Sequence, residues 1–168
     1  PRLVSSAASD VYKRQPEKLK ELCEYWIDEY DWFTDQDYLN SFKQYESDVD
    51  DLKIHFILEK GEGEKNYPLV LLHGWPGSVS EFHNIIPMLT KNSNNITFDI
   101  IAPSLPGFGF SDKPNKPIGP RKMANYINKL LVDVLGYKNY FAQGGDWGSY
   151  IAAWLAFDYP KNCKGIHV

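Results

Sequence analysis

The chain has 168 residues, 43% of them hydrophobic and 15% aromatic, with 18 basic and 22 acidic side chains and a formal charge of −4. That balance supplies a core but no basic patch, so nucleic-acid binding has no electrostatic support. No run of ~18 apolar residues is present, so no segment reads as a membrane-spanning helix. Cys23 and Cys163 are too few for a disulfide framework and are read as free thiols. Residues 1–15, PRLVSSAASDVYKRQ, read as a translated sequencing adapter, or else a natural tail, and are set aside as a non-native or disordered lead. Without them Lys and Arg fall from 18 to 15 and Asp and Glu from 22 to 21, taking the charge from −4 to −6.

Glu17 to Trp32 places Leu19, Leu22, Cys23, Trp26 and Tyr30 at helical spacing and is expected to form one helix with a packing stripe. Ile54 to Leu58 is read as a strand, and Lys60-Gly61-Glu62-Gly63 as a hairpin turn into the next. Pro68 to Leu72 is a continuous apolar run, suited to a strand buried on both faces of a parallel sheet. It leads into His73-Gly74-Trp75-Pro76-Gly77-Ser78, after which Ser78-Val79-Ser80-Glu81 fits a capping box. The helix that follows has Phe82, Ile85, Ile86 and Leu89 at core spacing, with Pro87 bending or ending it.

Asn95-Ile96-Thr97 matches a glycosylation sequon, a pattern frequent by chance and given no weight. Phe98 to Ile101 is a further buried strand. Pro103 to Lys122 holds five prolines and three glycines in 20 residues and is expected to be a long surface loop. Its Phe108 and Phe110 either line a substrate entrance or pack beneath the loop. Met123, Tyr126, Ile127, Leu130 and Val134 mark the next helix, closed by Gly136. Tyr140 to Gln143 is a short buried strand, Ser149 to Asp158 a helix with Tyr150, Ile151, Trp154 and Leu155 on one face, and Ile166 and His167 lie in a last strand. This alternation gives an α/β class with a doubly wound, mostly parallel sheet.

Between that strand and helix stands Gly144-Gly145-Asp146-Trp147-Gly148, the spacing of a nucleophile elbow with aspartate at its centre. Side chains two positions either side of the nucleophile would collide with the strand or helix, hence Gly144 and Gly148. The helix amino terminus favours the carboxylate. Serine attacking saturated carbon would leave an ether that water does not readily remove. A carboxylate instead leaves an ester whose carbonyl belongs to the enzyme and can be hydrolysed. Asp146 therefore points to epoxide opening or carbon–halogen cleavage; the alternative is an ordinary aspartate in a glycine-rich turn. His73 alone reads as a structural histidine. In hydrolases of this layout, however, the loop after this strand and the residue after the nucleophile each supply an N–H to an oxyanion hole. Those donors are Trp75 and Trp147, their indole rings expected to wall an apolar pocket.

With these motifs in view, the chain resembles epoxide hydrolases of the microsomal and juvenile-hormone type, in the α/β-hydrolase superfamily. The resemblance is carried by residues 73–90, 102–114 and 143–168, and by an upstream segment, 22–60, of the kind specific to these enzymes. One departure is Asp51-Leu52, where they more often have Gly-Leu. The resemblance implies an amino-terminal segment over 16–60 that wraps the core and lid, and the first half of an α/β-hydrolase core over 61–168, cut off after the elbow helix and the next strand. It implies an alkyl-enzyme ester on Asp146, protonation of the ring oxygen by two lid tyrosines, and release of a vicinal diol by water activated on a histidine–carboxylate pair. His73, Gly74, Trp75, Pro76, Asp146 and Trp147 inherit positions, with Gly144, Gly145 and Gly148 shaping the turn. The partners are a small apolar epoxide and water; no metal or cofactor is implied. Membrane association, and with it an endoplasmic-reticulum location, would come only through an amino-terminal anchor of the parent protein; otherwise the location is cytoplasmic. Only 22 residues follow Asp146, and His55, His83 and His167 are read as structural, so the chain is expected to be an inactive fragment, prone to aggregate. The alternatives are a haloalkane-type dehalogenase and a non-catalytic fold member that binds apolar ligands.

Overall fold

The structure, a computed structural model, describes residues 16–91 and 96–168; the lead 1–15 and Asn95 of the sequon lie outside the described residues. The chain divides into two compact units, one ending at Tyr38 and one running from Leu39 to Val168. In the first, α1 spans Pro16–Asp28 and a second helix, α2, runs Trp32–Asn40 across the boundary. The helix expected to run to Trp32 thus ends at Asp28, and a second one begins at Trp32. The break follows from Asp31, whose carboxylate accepts the Phe33 N–H at 3.0 Å and the Thr34 hydroxyl at 2.6 Å and so caps α2. Those two bonds, the Thr34 hydroxyl first, hold the Asp31 carboxyl below its ordinary range. Leu22, Tyr25, Trp26, Tyr30 and Trp32 line a cavity of about 580 Å³, with Trp26 still 69% exposed.

The second unit is built on six strands: β1 Gln44–Val49, β2 Leu52–Glu59, β3 Lys65–Leu72, β4 Ile96–Pro103, β5 Tyr140–Gly144 and β6 Cys163–His167. They lie in the order β1-β2-β4-β3-β5-β6, with β4, β3, β5 and β6 parallel and the β1–β2 and β2–β4 pairs antiparallel. The expected hairpin at 60–63 is not one, because β4 lies between β2 and β3. The segment instead crosses the end of β4, where Asp99 accepts the Gly61 N–H at 3.0 Å and Thr97 the Gly63 N–H at 2.9 Å. The true hairpin joins β1 to β2 through Asp50-Asp51, and only Asp50 needs positive φ, at 54°. Asp51 therefore stands without backbone strain, and its carboxylate accepts the Tyr126 hydroxyl at 2.6 Å, which pushes that phenol up to about 12.

Ser78 caps a 3₁₀ turn, Val79–Phe82, and α3 follows at Ile85–Thr90. The capping box is only half formed, since Glu81 Oε1 faces the Gly74 N–H at 3.4 Å instead of closing back on the cap. Pro87 sits in the first turn of α3, where its missing N–H costs nothing. The next helix is α4, Pro120–Lys129, continued by a π turn over Leu130–Val134 that ends before Gly136 at φ 75°. Last comes α5, Trp147–Asp158. Alternate residues of β3 face opposite sides. Val70 and Leu72 pack with Ile127, Leu130, Ile151 and Leu155 beneath α4 and α5, while Leu71 packs with Phe82 and Ile86 beneath α3. Tyr150, expected on the packing face of α5, is 64% exposed; Ala152 takes the buried place beside Ile151 and Leu155. The 104–119 loop is not wholly superficial either, for Ser104, Leu105 and Pro106 are buried.

Candidate functional site

Parallel pairing of β3 with β5 sets Leu72 opposite Gly144, so the loop after each strand opens at the same end of the sheet. α5 starts directly from the elbow, and its first turn lies against the end of β3. A Cβ on Gly148 would stand 2.7 Å from the Leu72 carbonyl carbon and closer still to its oxygen, and one on Gly144 would stand 2.9 Å from the Gly148 Cα. Gly145 has open space around it, so of the two glycines before Asp146 only Gly144 is sterically required.

Asp146 itself holds φ 49° and ψ −123°, a conformation that non-glycine residues adopt only when the surrounding structure enforces it. Its backbone carbonyl accepts the Ser149 N–H at 3.1 Å and hydroxyl at 2.6 Å. Its side chain does not cap α5. Oδ1 instead accepts the Trp75 N–H at 2.8 Å, across from the other loop. The Trp75 N–H, and after it the Trp147 N–H, hold the Asp146 carboxyl below the usual aspartate range. Gly74 is needed for this approach: a Cβ there would fall 2.7 Å from Asp146 Oδ1.

His73 lies beneath the site and is buried. Its Nε2 receives the Leu105 N–H at 3.0 Å, and since an amide only donates, the ring proton sits on Nδ1 and points to the Gly74 carbonyl at 3.1 Å. Burial pushes His73 below the ordinary histidine value, which suits this neutral form. Phe108 stands edge-on to the same ring, centroids 5.3 Å apart, so this phenylalanine packs under its loop, whereas Phe110 is 73% exposed. The peptide between Trp75 and Pro76 is cis. Of the two indoles expected to wall a pocket, Trp75 is 68% and Trp147 39% exposed.

A cavity of about 860 Å³ lies against the sheet between Leu69, Phe82, Phe98, Phe141 and Ile166, and neither Asp146 nor Trp75 lines it. It is an open apolar sheet face rather than a reaction centre. Among the described residues no group of three or more His, Cys, Asp or Glu could hold a metal, and no helix is long and apolar enough to cross a membrane. Sequence reasoning missed Leu105, whose N–H fixes His73 from behind, and Ser104 beside it, which bonds His55. Their signal was the apolar opening of a loop otherwise rich in proline and glycine.

Comparison with known proteins agrees with this fold. The model for the epoxide hydrolase N terminus matches residues 5–82, and that for the alpha/beta hydrolase fold matches residues 67–168. The juvenile hormone epoxide hydrolase of Bombyx mori is 41% identical over 161 residues, covering 93% of this chain and 35% of that protein. Epoxide hydrolase 1 of Oryctolagus cuniculus is 37% identical over 160 residues, covering 89% and 35%. The crystal structure of the Bombyx mori enzyme superposes with a TM-score of 0.83 at 42% identity, over 90% of this chain and 37% of that one. The chain thus spans about a third of the length of the curated relatives it matches. With an epoxide-hydrolase amino-terminal segment joined to the elbow-bearing sheet, the chain belongs to the α/β-hydrolase fold family, in its epoxide hydrolase branch.

Proposed function

We propose that Asp146 is the nucleophile of an epoxide hydrolase and that Trp75 and Trp147 supply its oxyanion donors. The observation that carries this reading is the 2.8 Å bond from the Trp75 N–H to Asp146 Oδ1, made at a positive φ that turns the carboxylate towards the neighbouring loop. Oδ2, the oxygen that Trp75 does not hold, attacks a ring carbon. The carbon–oxygen ring bond breaks, its electron pair passes to the ring oxygen, and that oxygen takes a proton from water or from an acid outside the described residues. A hydroxyalkyl ester on Asp146 results. Water then adds to the ester carbonyl, charge develops on the oxygen facing Trp75, and collapse releases a vicinal diol and restores the carboxylate. One donor of this kind is typically worth about 10²–10³ in rate.

The second step needs a base. His73 is committed to Leu105 and Gly74, His55 to Ser104 and Gln44, and His83 Nδ1 to the Ser80 carbonyl. None of these bonds reaches Asp146, and His167, exposed in β6, makes no hydrogen bond to it either, so the chain by itself is expected to form the ester without turning it over. The experiment is incubation with styrene oxide followed by mass spectrometry. A single adduct of the epoxide's mass on Asp146, lost in Asp146→Asn, is the expected result, and a longer polypeptide carrying this chain releases the diol. An adduct from a chloroalkane with loss of halide, and none from the epoxide, would establish the dehalogenase reading. No adduct from either would leave a non-catalytic binding protein.

A further inference from the structure

Two peptide planes meet at His73. The Ser104–Leu105 peptide gives its N–H to His73 Nε2, and the Gly74–Trp75 peptide gives its C=O to His73 Nδ1–H. Each plane is also held at its other end. The Ser104 C=O accepts the Ser111 hydroxyl at 2.7 Å, and the Trp75 N–H donates to Asp146. Because a peptide is rigid and planar, tilting one end of either plane moves the other. The orientation of the Trp75 N–H is therefore tied, through the His73 ring, to the seat of Ser104.

That seat is made by His55 in the middle of β2. Ser104 donates its N–H to the His55 carbonyl at 2.9 Å, and the Ser104 hydroxyl meets His55 Nδ1 at 2.9 Å. The direction of the second bond follows from the far side of the ring. Gln44 Nε2 donates to the Leu39 carbonyl at 3.0 Å, which turns Gln44 Oε1 towards His55 Nε2 at 2.9 Å, so Nε2 carries the proton and Nδ1 accepts from Ser104. Ser111 completes the clamp, accepting the His55 N–H at 2.9 Å while donating to the Ser104 carbonyl. His55 and Ser104 are both buried, so the bond between their side chains is shielded from water, while the Gln44 side of the ring faces the surface.

We infer that His55 is a positioning residue for the Trp75 N–H, acting through the Ser104–Leu105 peptide, His73 and the Gly74–Trp75 peptide. A side chain in the amino-terminal hairpin thereby sets the aim of the donor at the nucleophile. The inference rests on the proposed role of Trp75 for its catalytic meaning, but the coupling itself is testable without any reaction.

The test is amide-resolved hydrogen exchange on the full chain, comparing His55→Leu, which removes both ring bonds, with His55→Asn, whose carbonyl oxygen stands near the place of Nδ1. Leucine should speed exchange at the Leu105 and Trp75 amides about tenfold or more, as expected for loss of a buried hydrogen bond, with Val70 and Ala142 in the neighbouring strands unchanged. Asparagine should return most of that protection. Ser104→Ala, which deletes only the hydroxyl, should reproduce the leucine pattern and serves if His55→Leu does not fold. Unchanged exchange at Trp75, or an equal acceleration at Val70 and Ala142, overturns the inference. Should the coupling hold while Asp146 takes no label from an epoxide, the proposed function fails and this inference stands.

Discussion

Gly148→Ala isolates the contact that brings the two halves of the site together. Alanine is the better helix former, and in α5 it gains about 0.5–1 kcal/mol over glycine. Against that, its Cβ would lie 2.7 Å from the Leu72 carbonyl carbon and 3.0 Å from the His73 carbonyl oxygen. Both neighbours are backbone, one of them at the end of a central strand, so neither swings aside as a side chain would. Overpacking of this kind typically costs about 1–3 kcal/mol, and a backbone neighbour puts it at the upper end. The net loss is then about 2 kcal/mol, or about 1 M in urea midpoint for an m-value near 2 kcal/mol/M. Gly145→Ala is the control, because its Cβ meets open space, and it should stay within about 0.5 kcal/mol of the parent. Urea unfolding followed by tryptophan fluorescence measures both. A Gly148→Ala midpoint equal to or above the parent's would show that helix propensity wins and that α5 is not pressed against β3 as the structure has it.

The depressed Asp146 carboxyl makes a pH prediction for its labelling by styrene oxide. The reactive carboxylate is present above its folded value, so the labelling rate should hold as pH falls to the ordinary 3.8 and decline only below it; a decline centred on 5 or 6 would contradict the Trp75 contact. His55 and His73 are both held below 6.5 by burial. For a base with a lowered folded value the unfolded chain binds protons first, so the stability they contribute is complete above 6.5 and is lost as pH drops. The thermal midpoint should therefore fall from pH 7 to 5, and by less in His55→Asn. Asp99 is buried, which raises its carboxyl, yet Lys60, the Gly61 N–H and Tyr137 outweigh burial and leave it low. Asp99→Ala leaves the Gly61 N–H unpaired and Lys60 and Tyr137 with only each other, and should cost about 2 kcal/mol in urea unfolding, whereas an exposed pair such as Lys20–Glu24 should be worth under about 0.5.

The parallel centre of the sheet was legible because its signal is local and strong. Pro68 to Leu72 has no polar residue to place on a solvent face, and the glycines of 144–148 appear where strand gives way to helix. What escaped was set by partners distant in sequence. Nothing near Lys60 reveals that β4 slots between β2 and β3, since that order rests on β4 pairing with both, about 40 residues further along the chain, where Asp99 and Thr97 also capture the amides of Gly61 and Gly63. Strand β1 was missed because Gln44 to Val49 buries only its last residue and carries no alternation to read. The helix break at Asp31 was missed because the apolar stripe ending at Tyr30 let one helix be drawn through it to Trp32. At the site, Asp146 and the loop from His73 to Pro76 stood in the sequence beside the strands that bring them together. The role of His73 did not, because its two bonds go to peptide groups, which no side-chain motif records.

The placement of those parts bears on how the proposed chemistry divides. Holding Asp146 at positive φ is unfavourable for a residue with a Cβ, and the chain maintains it with contacts that all lie within its own strands and loops: Gly148 against Leu72, Gly144 against Gly148, and the Trp75 N–H on Oδ1. None of these depends on a base or an acid. The carboxylate is thus aimed and kept ionised by the β3–β5 pair, whereas hydrolysis of its ester requires a histidine free to take a proton. His55 and His73 have both ring nitrogens engaged by neighbours. Under the proposed mechanism ester formation and ester release are assigned to separable parts of the fold. A chain that captures one equivalent of epoxide on Asp146 and keeps it is the outcome this division demands, and steady diol release from the same 168 residues would refute it.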